Sequence, residues 1–283
     1  MLTRFAPSPT GDLHLGHAYS AALAHHAARA AGGQFRIRID DIDGSRSRED
    51  YVAASLADLD WLGLDWDGEP VRQSNRLPAY AAALDTLRAR GLLYPCFCTR
   101  ADIVASLAAP HGPSGAIYPG TCRTLPNAER ERRMADEPHC WRLYMWRAVA
   151  ATGDLDWEEA GQGRRAADSQ AHGDIVLARK DAPASYHLAS TLDDAAMGVT
   201  HVIRGADLIA STDVHRLLQA LLGLPTPLYR HHALVCGPDG RRLAKRDAAA
   251  SLAAFRDAGI DGPALAADLR AGRLPTGYSL QMP

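Results

Sequence analysis

Two histidines one turn apart, His14 and His17 in His14-Leu15-Gly16-His17, stand where an apolar strand-like segment gives way to an alanine-rich one. A helix N-terminus offers unpaired N–H groups and the positive end of its dipole, which suits a phosphate. Two imidazoles there can donate to phosphoryl oxygens as charge builds during a displacement. Alone, such a pair reads as cap or surface histidines. Its place between a strand and a helix favours the phosphate reading.

Late in the chain, Arg242-Leu243-Ala244-Lys245-Arg246 follows the turn Gly237-Pro238-Asp239-Gly240. A loop carrying a lysine can close over a triphosphate and neutralise charge passing to a pyrophosphate leaving group. The plainer alternative is a basic surface loop.

A third group is Cys96, Cys98 and Cys122, with Tyr118 between the last two. Thiolates take zinc readily, a structural zinc site needs four ligands, and a loop-rich segment gains most from such a staple. The spacing is not a CxxC knuckle, so the fourth ligand must be another group. Cys140, His111 and a water are candidates, and Cys140 and Cys236 otherwise read as core residues.

The elements that would position these groups are legible in outline. Residues 2–6 read as a strand stopped by Pro7 and Pro9. Residues 17–31 read as a helix closed by Gly32-Gly33, and 34–39 alternate as a strand, giving a βαβ unit and a parallel sheet. Helices are expected at 48–62, 78–90 and 213–222, with Asp41 and Asp43 capping the first of these. Strands are expected at 174–177, 186–189 and 199–203, then a strand-like Leu-Tyr-Arg-His-His-Ala-Leu-Val-Cys run, then one or two short helices. The fold class is therefore α/β. An irregular stretch rich in Gly, Pro and Arg splits the sheet domain, so the expected organisation is 1–95 and 171–235 as its two halves, 96–170 as an insertion, and 236–283 as loop and helical extension.

At 283 residues and 47% hydrophobic content the chain can bury a sizeable core. No run of some twenty apolar residues is present, so no membrane span is expected. Five cysteines, unevenly placed, fit a reducing compartment with a metal site, and the reading is cytoplasmic. A net charge of -2 excludes RNA binding driven by global charge. RNA contact would come from local patches such as Arg123, Arg130, Arg132 and Arg133, or Arg164 and Arg165.

Taken together, the motifs resemble the class I aminoacyl-tRNA synthetases, and the glutamyl branch in particular. Arg4-Phe5-Ala6-Pro7-Ser8-Pro9-Thr10-Gly11 with Leu13-His14-Leu15-Gly16-His17 is similar to that branch's opening signature. So are Arg36-Ile37-Arg38-Ile39-Asp40-Asp41-Ile42-Asp43, Tyr186-His187-Leu188-Ala189, and Val202-Ile203-Arg204-Gly205-Ala206-Asp207-Leu208. The resemblance implies a Rossmann-type parallel sheet split by a zinc-binding insertion. Arg4, Ala6, Pro7 and Ser8 would line an L-glutamate pocket, Arg204 would hold a substrate carboxylate, and Tyr186 would donate from its hydroxyl. His14, Gly16, His17 and Lys245 would serve ATP, which comes with Mg²⁺. Tyr118 would complete a zinc site with Cys96, Cys98 and Cys122.

Three positions depart from the family pattern. Asp40 stands where a glutamate usually meets the substrate's α-amino group, and is one methylene shorter. Arg242 replaces the first lysine of the KMSKS loop, and Ala244 its serine.

The chain has too few residues after Arg246 for another core, so no anticodon-binding domain is expected. That shortness, with the zinc ligands, resembles the glutamyl-queuosine tRNA(Asp) synthetase family, which transfers activated glutamate to queuosine in the anticodon loop of tRNA(Asp). The implied protein is a monomer. A conventional glutamyl-tRNA synthetase fragment and a catalytically silent RNA-binding paralogue are the alternatives.

Overall fold

A computed structural model describes residues 1–99, 102, 111–112, 115–243 and 251–283. The chain opens with β1 (Leu2–Phe5), α1 (Leu15–Ala30) and β2 (Gln34–Ile39), and β2 lies parallel to β1 with Leu2 opposite Gln34 and Phe5 opposite Ile37. The alternation in β2 puts Phe35, Ile37 and Ile39 into the core, where they meet the alanines of α1. Gly33 is required at the return, because a Cβ there would come 2.1 Å from the Met1 carbonyl oxygen. A short strand, Val71–Arg72, extends this sheet beyond β2 in the same direction.

A second sheet carries His201–Gly205, Leu228–His232 and Asp156–Glu159 in parallel, with Gly163–Ala166 antiparallel at its edge. The two sheets meet edge to edge. Thr200 N–H donates to Leu2 O at 3.0 Å, and Leu2 N–H donates to Thr200 Oγ1 at 2.8 Å. From this join the chain steps outward from β1 to β2 on one side and from His201–Gly205 to Leu228–His232 on the other, the switch-point arrangement at which open α/β sheets bind ligands at the carboxyl ends of their strands.

The structure alters several expectations. Residues 186–189 are not a strand but the first turn of a helix, Tyr186–Ala196. Ser185 caps it by accepting from Leu188 N–H at 3.4 Å, and a four-residue apolar run cannot by itself distinguish strand from helix. Asp41 and Asp43 do not cap helix Glu49–Trp61, whose N-cap is Arg48. Asp41 instead accepts from the N–H and hydroxyl of Ser74, and Asp43 from Ser45 and Arg46. The helix expected at 213–222 begins earlier and spans Ile209–Leu222. The stretch read as irregular holds regular elements, including helices Asn127–Asp136 and Met145–Thr152. Its strand Asp156–Glu159 belongs to the parallel sheet.

Separate apolar clusters hold the chain together. One packs α1 and both early strands against Leu252, Leu265 and Leu269 of the final helices, and another gathers Tyr80, Leu84, Leu143, Leu177, Leu188 and Leu217. Among the described residues, no helix is long and apolar enough to cross a membrane.

Candidate functional site

A cavity of about 510 Å³ opens at the carboxyl ends of β1, β2, His201–Gly205 and Leu228–His232. Arg4, Ala6, Pro7 and Ser8 line one side of it, with His14, Gly16 and His17 at the N-terminus of α1. Asp40 enters from the end of β2, Tyr186 from its helix, and Arg204 from its strand. Residues 4 to 204 of the sequence are thus brought to one place. Lys245, expected here, lies outside the described residues.

His14 and His17 form a reciprocal capping box. Gly16 N–H donates to His14 Nδ1 at 3.1 Å and His14 N–H donates to His17 Nδ1 at 3.1 Å. Each Nδ1 is an acceptor, so in the neutral ring the proton sits on Nε2. The cap thereby makes both rings Nε2–H donors at a helix N-terminus, the tautomer an anion requires. Gly16 keeps this tight, since a Cβ there would lie 3.0 Å from His14 Cε1.

Arg204 is 4% exposed. Its Nη2 donates to Thr212 Oγ1 at 2.8 Å and Leu208 O at 3.2 Å, its Nε to His231 Nε2 at 3.2 Å, and its Nη1 to Tyr186 Oη at 3.3 Å. His215 Nδ1 also lies 3.3 Å from Nη1. Glu159 fixes His231 in turn, taking Nδ1 and the backbone N–H at 2.7 Å each. Burial, then the Arg204 charge, pushes His231 down to about 4, so it accepts from Arg204 as a neutral ring. Every one of these partners is uncharged. Among the described residues Arg204 has no carboxylate partner, and a buried guanidinium favours one.

Arg4 does have one. Its Nε donates to Asp194 Oδ1 at 2.9 Å and its Nη2 to Oδ2 at 3.3 Å. Asp194 Oδ1 also takes Arg38 Nη1 at 2.7 Å, and Arg38 grips both oxygens of Asp40, at 2.6 and 3.1 Å. Burial raises the Asp194 carboxyl, but Arg4 and Arg38 outweigh it and hold the group below the usual carboxylate range. Sequence reasoning assigned no role to Asp194 or Arg38. The available signal was Asp193-Asp194 inside an otherwise apolar helix, where acids are buried only when paired.

Outside the lining of this cavity, Cys96, Cys98 and Cys122 bring their sulfurs within 4.8 Å of one another. Cys98 and Cys122 Sγ are 3.6 Å apart, and Tyr118 Oη lies 3.4 Å from Cys96 Sγ and 3.6 Å from Cys98 Sγ. Tetrahedral zinc with bonds of about 2.3 Å to sulfur and 2.0 Å to oxygen needs edges of ~3.8 and ~3.5 Å. The three cysteines are compatible with that ion, and these three separations lie close to those edges. Cys140, paired with Cys96 across adjacent strands, and Cys236 are both buried. The hydrogen bond with Cys122 comes first among those holding the Cys96 thiol low, and the same contact pushes Cys122 up.

Residues 1–271 match the family described as tRNA synthetases class I (E and Q), catalytic domain. A glutamyl-Q tRNA(Asp) synthetase from Rhodobacter capsulatus is 49% identical over 271 residues, covering 92% of this chain and 96% of the relative. One from Symbiobacterium thermophilum is 46% identical over 266 residues, covering 90% of this chain and 81% of the relative. The crystal structure of a glutamate-tRNA synthetase from Elizabethkingia anophelis superposes with a TM-score of 0.80 at 26% identity, and this chain spans 95% of itself and 61% of that one.

Proposed function

Because the chain belongs to the class I tRNA synthetases of the E and Q type, in the glutamyl-Q tRNA(Asp) synthetase branch, we propose that this ligase activates L-glutamate with ATP, without needing tRNA, and passes it to queuosine in the anticodon loop of tRNA(Asp). The observation that carries the glutamate reading is Arg204, a buried cation whose described partners are all neutral. A substrate carboxylate would complete it, with Tyr186 donating from its hydroxyl to the same group.

Asp40 would meet the α-amino group, and Arg4 with the Ala6, Pro7 and Ser8 backbone would frame the amino acid. The glutamate α-carboxylate then attacks the α-phosphorus of ATP, forming the acyl phosphate bond as the bond to pyrophosphate breaks. The Nε2–H groups of His14 and His17 and the α1 dipole stabilise the spreading charge, with Lys245 over the leaving group and Mg²⁺ arriving with ATP. In the second step a hydroxyl of the queuosine cyclopentene ring attacks the adenylate carbonyl and AMP leaves. We assign no general base to it. An unstacked anticodon base can be splayed into such a pocket.

Cys96, Cys98, Tyr118 and Cys122 would hold a structural zinc that ties the strand ending at Cys96 to the 118–122 turn. In this reading 96–170 is an insertion between the halves 1–95 and 171–235 that returns one strand, Asp156–Glu159, to their parallel sheet, 236–283 is the loop with a helical extension, and the protein works as a cytoplasmic monomer.

The test is transfer of labelled glutamate, with ATP, to tRNA(Asp) containing queuosine, to the unmodified tRNA, and to tRNA(Glu). Label on modified tRNA(Asp) alone supports the proposal. Label on tRNA(Glu) replaces it with a conventional synthetase, and no label on any tRNA with no pyrophosphate exchange leaves a silent RNA-binding paralogue.

A further inference from the structure

Asp194 does not line the cavity, yet it is the anion on which two of its lining arginines converge. Arg38 is 1% exposed and makes four hydrogen bonds: one to Asp194, one to Ser190 Oγ at 3.3 Å, and two to Asp40. Asp194 and Ser190 both belong to the helix that begins with Tyr186. Asp40 takes both of its described side-chain bonds from Arg38. The position of the Asp40 carboxylate is therefore set by Arg38, and the position of Arg38 by a residue 156 places away on another element.

The adjacent acid does something else. Asp193 accepts from Gln73 Nε2 at 2.9 Å, Tyr80 Oη at 2.7 Å and Arg76 Nε at 2.5 Å, none of which lines the cavity. Two consecutive buried carboxylates on one helix thus face different neighbours. Asp193 ties the helix to residues 73–80, while Asp194 ties it to the ends of β1 and β2.

We infer that Asp194 is a positioning residue for amino-group recognition: through Arg38 it holds Asp40 where a substrate α-amino group is bound, and through Arg4 it sets the opposite wall. The charge inventory agrees. Asp40 and Asp194 offset two of the three arginines Arg4, Arg38 and Arg204, and Asp207 offsets Arg242, leaving a single unmatched positive charge for a ligand that carries one net negative charge. If Asp194 is neutralised, Arg38 and Arg4 compete for Asp40, and the α-amino group loses its partner. This inference rests on the glutamate reading above, and deepens it.

The experiment measures dissociation constants of L-glutamate and of glutarate, which lacks the amino group, by calorimetry without ATP, for the unmodified protein and for Asp194→Asn, Asp193→Asn and Arg38→Lys. The expected result is that Asp194→Asn weakens glutamate about tenfold or more while glutarate changes about twofold at most, since only a charge-assisted contact to the amino group is lost. The ratio between the two ligands then moves toward one, which general loosening of the fold does not produce. Asp193→Asn lowers the thermal midpoint but keeps that ratio. Arg38→Lys, which retains charge without the two-pronged grip, repeats the Asp194→Asn result and serves where Asp194→Asn does not fold. An unchanged ratio in both Asp194→Asn and Arg38→Lys overturns the inference, as does an equal fall in Asp193→Asn. Absence of glutamate binding by the unmodified protein overturns the glutamate reading itself, and this inference with it.

Discussion

Arg242 Nη2 lies 2.9 Å from Asp207 Oδ2 across the mouth of the cavity that both residues line. In the proposed reading Arg242 stands for the first KMSKS lysine, so the arginine that would meet a triphosphate is held by a carboxylate of the same cavity. Arg242 is 59% exposed, and such pairs contribute about 1 kcal/mol or less. Asp207→Asn is expected to lower the KM for ATP about two- to fivefold in pyrophosphate exchange, and Arg242→Ala to raise it about tenfold. Unchanged values in both variants would remove Arg242 from the ATP site.

Arg204→Lys keeps a buried cation but not the planar fork. The KM for glutamate in pyrophosphate exchange is expected to rise about thirtyfold, or ~2 kcal/mol, with the KM for ATP within about twofold. A parallel rise in both constants would point to a general loss of structure instead.

His17 would join stability to chemistry, because the ring atom that caps the helix also fixes the tautomer that a phosphate would meet. His17→Ala should cost about 1 kcal/mol in urea unfolding, the usual worth of a cap, and about a hundredfold in kcat. A full kcat with the same stability loss would make His17 a cap and nothing more.

The thiolate cluster makes its own claim. Purified protein is expected to carry about one zinc per chain by elemental analysis, lost in Cys98→Ser, with a fall in thermal midpoint of several degrees. Tyr118→Phe separates the fourth ligand from its rivals: reduced zinc affinity assigns the position to Tyr118, and unchanged affinity gives it to Cys140, His111 or water.

Acid sensitivity follows from two histidines. His231 is pushed to about 4 by burial and Arg204, and His187 to about 4 by burial, His172 and Arg204. Both lie below the ordinary value of about 6.5, so between 6.5 and 4 the unfolded chain binds protons that the folded one does not, and stability falls as pH falls. Asp58, raised to about 6 by burial, acts in the opposite sense over part of this range. Between pH 7.5 and pH 5 the two histidines are expected to destabilise the fold by an amount on the order of a few kcal/mol, which Asp58 offsets in part. A urea midpoint that stays flat between those two values would contradict this assignment.

What the sequence made legible was local. Residues 34–39 alternate cleanly and form β2 over those positions, and Gly32-Gly33 mark the end of α1 because no other residue type turns the chain there as easily. His14 and His17 could be placed at a helix start because strand, turn and helix follow one another within seventeen residues. The Tyr186 segment was misread because its cap, Ser185, is a weaker signal than a short apolar run. Asp194 could not be found at all by periodicity: its partners Arg4 and Arg38 are distant in the chain, and only the closed fold brings opposite charges together. The three cysteines were visible by type, whereas Tyr118 entered through family resemblance alone.

The separation between Arg4 and Asp194 also bears on how the chain is made. Asp194 follows Arg4 by 190 residues. At a synthesis rate of about 5–20 residues per second, on the order of 10–40 s pass between the two leaving the ribosome's catalytic centre. During that interval β1 and β2 can pair around α1, but the two arginines destined for burial have no Asp194 to meet. The nascent N-terminal half must keep them hydrated until the helix that begins at Tyr186 brings Asp194, and the β1 edge stays open until Thr200 arrives to meet Leu2.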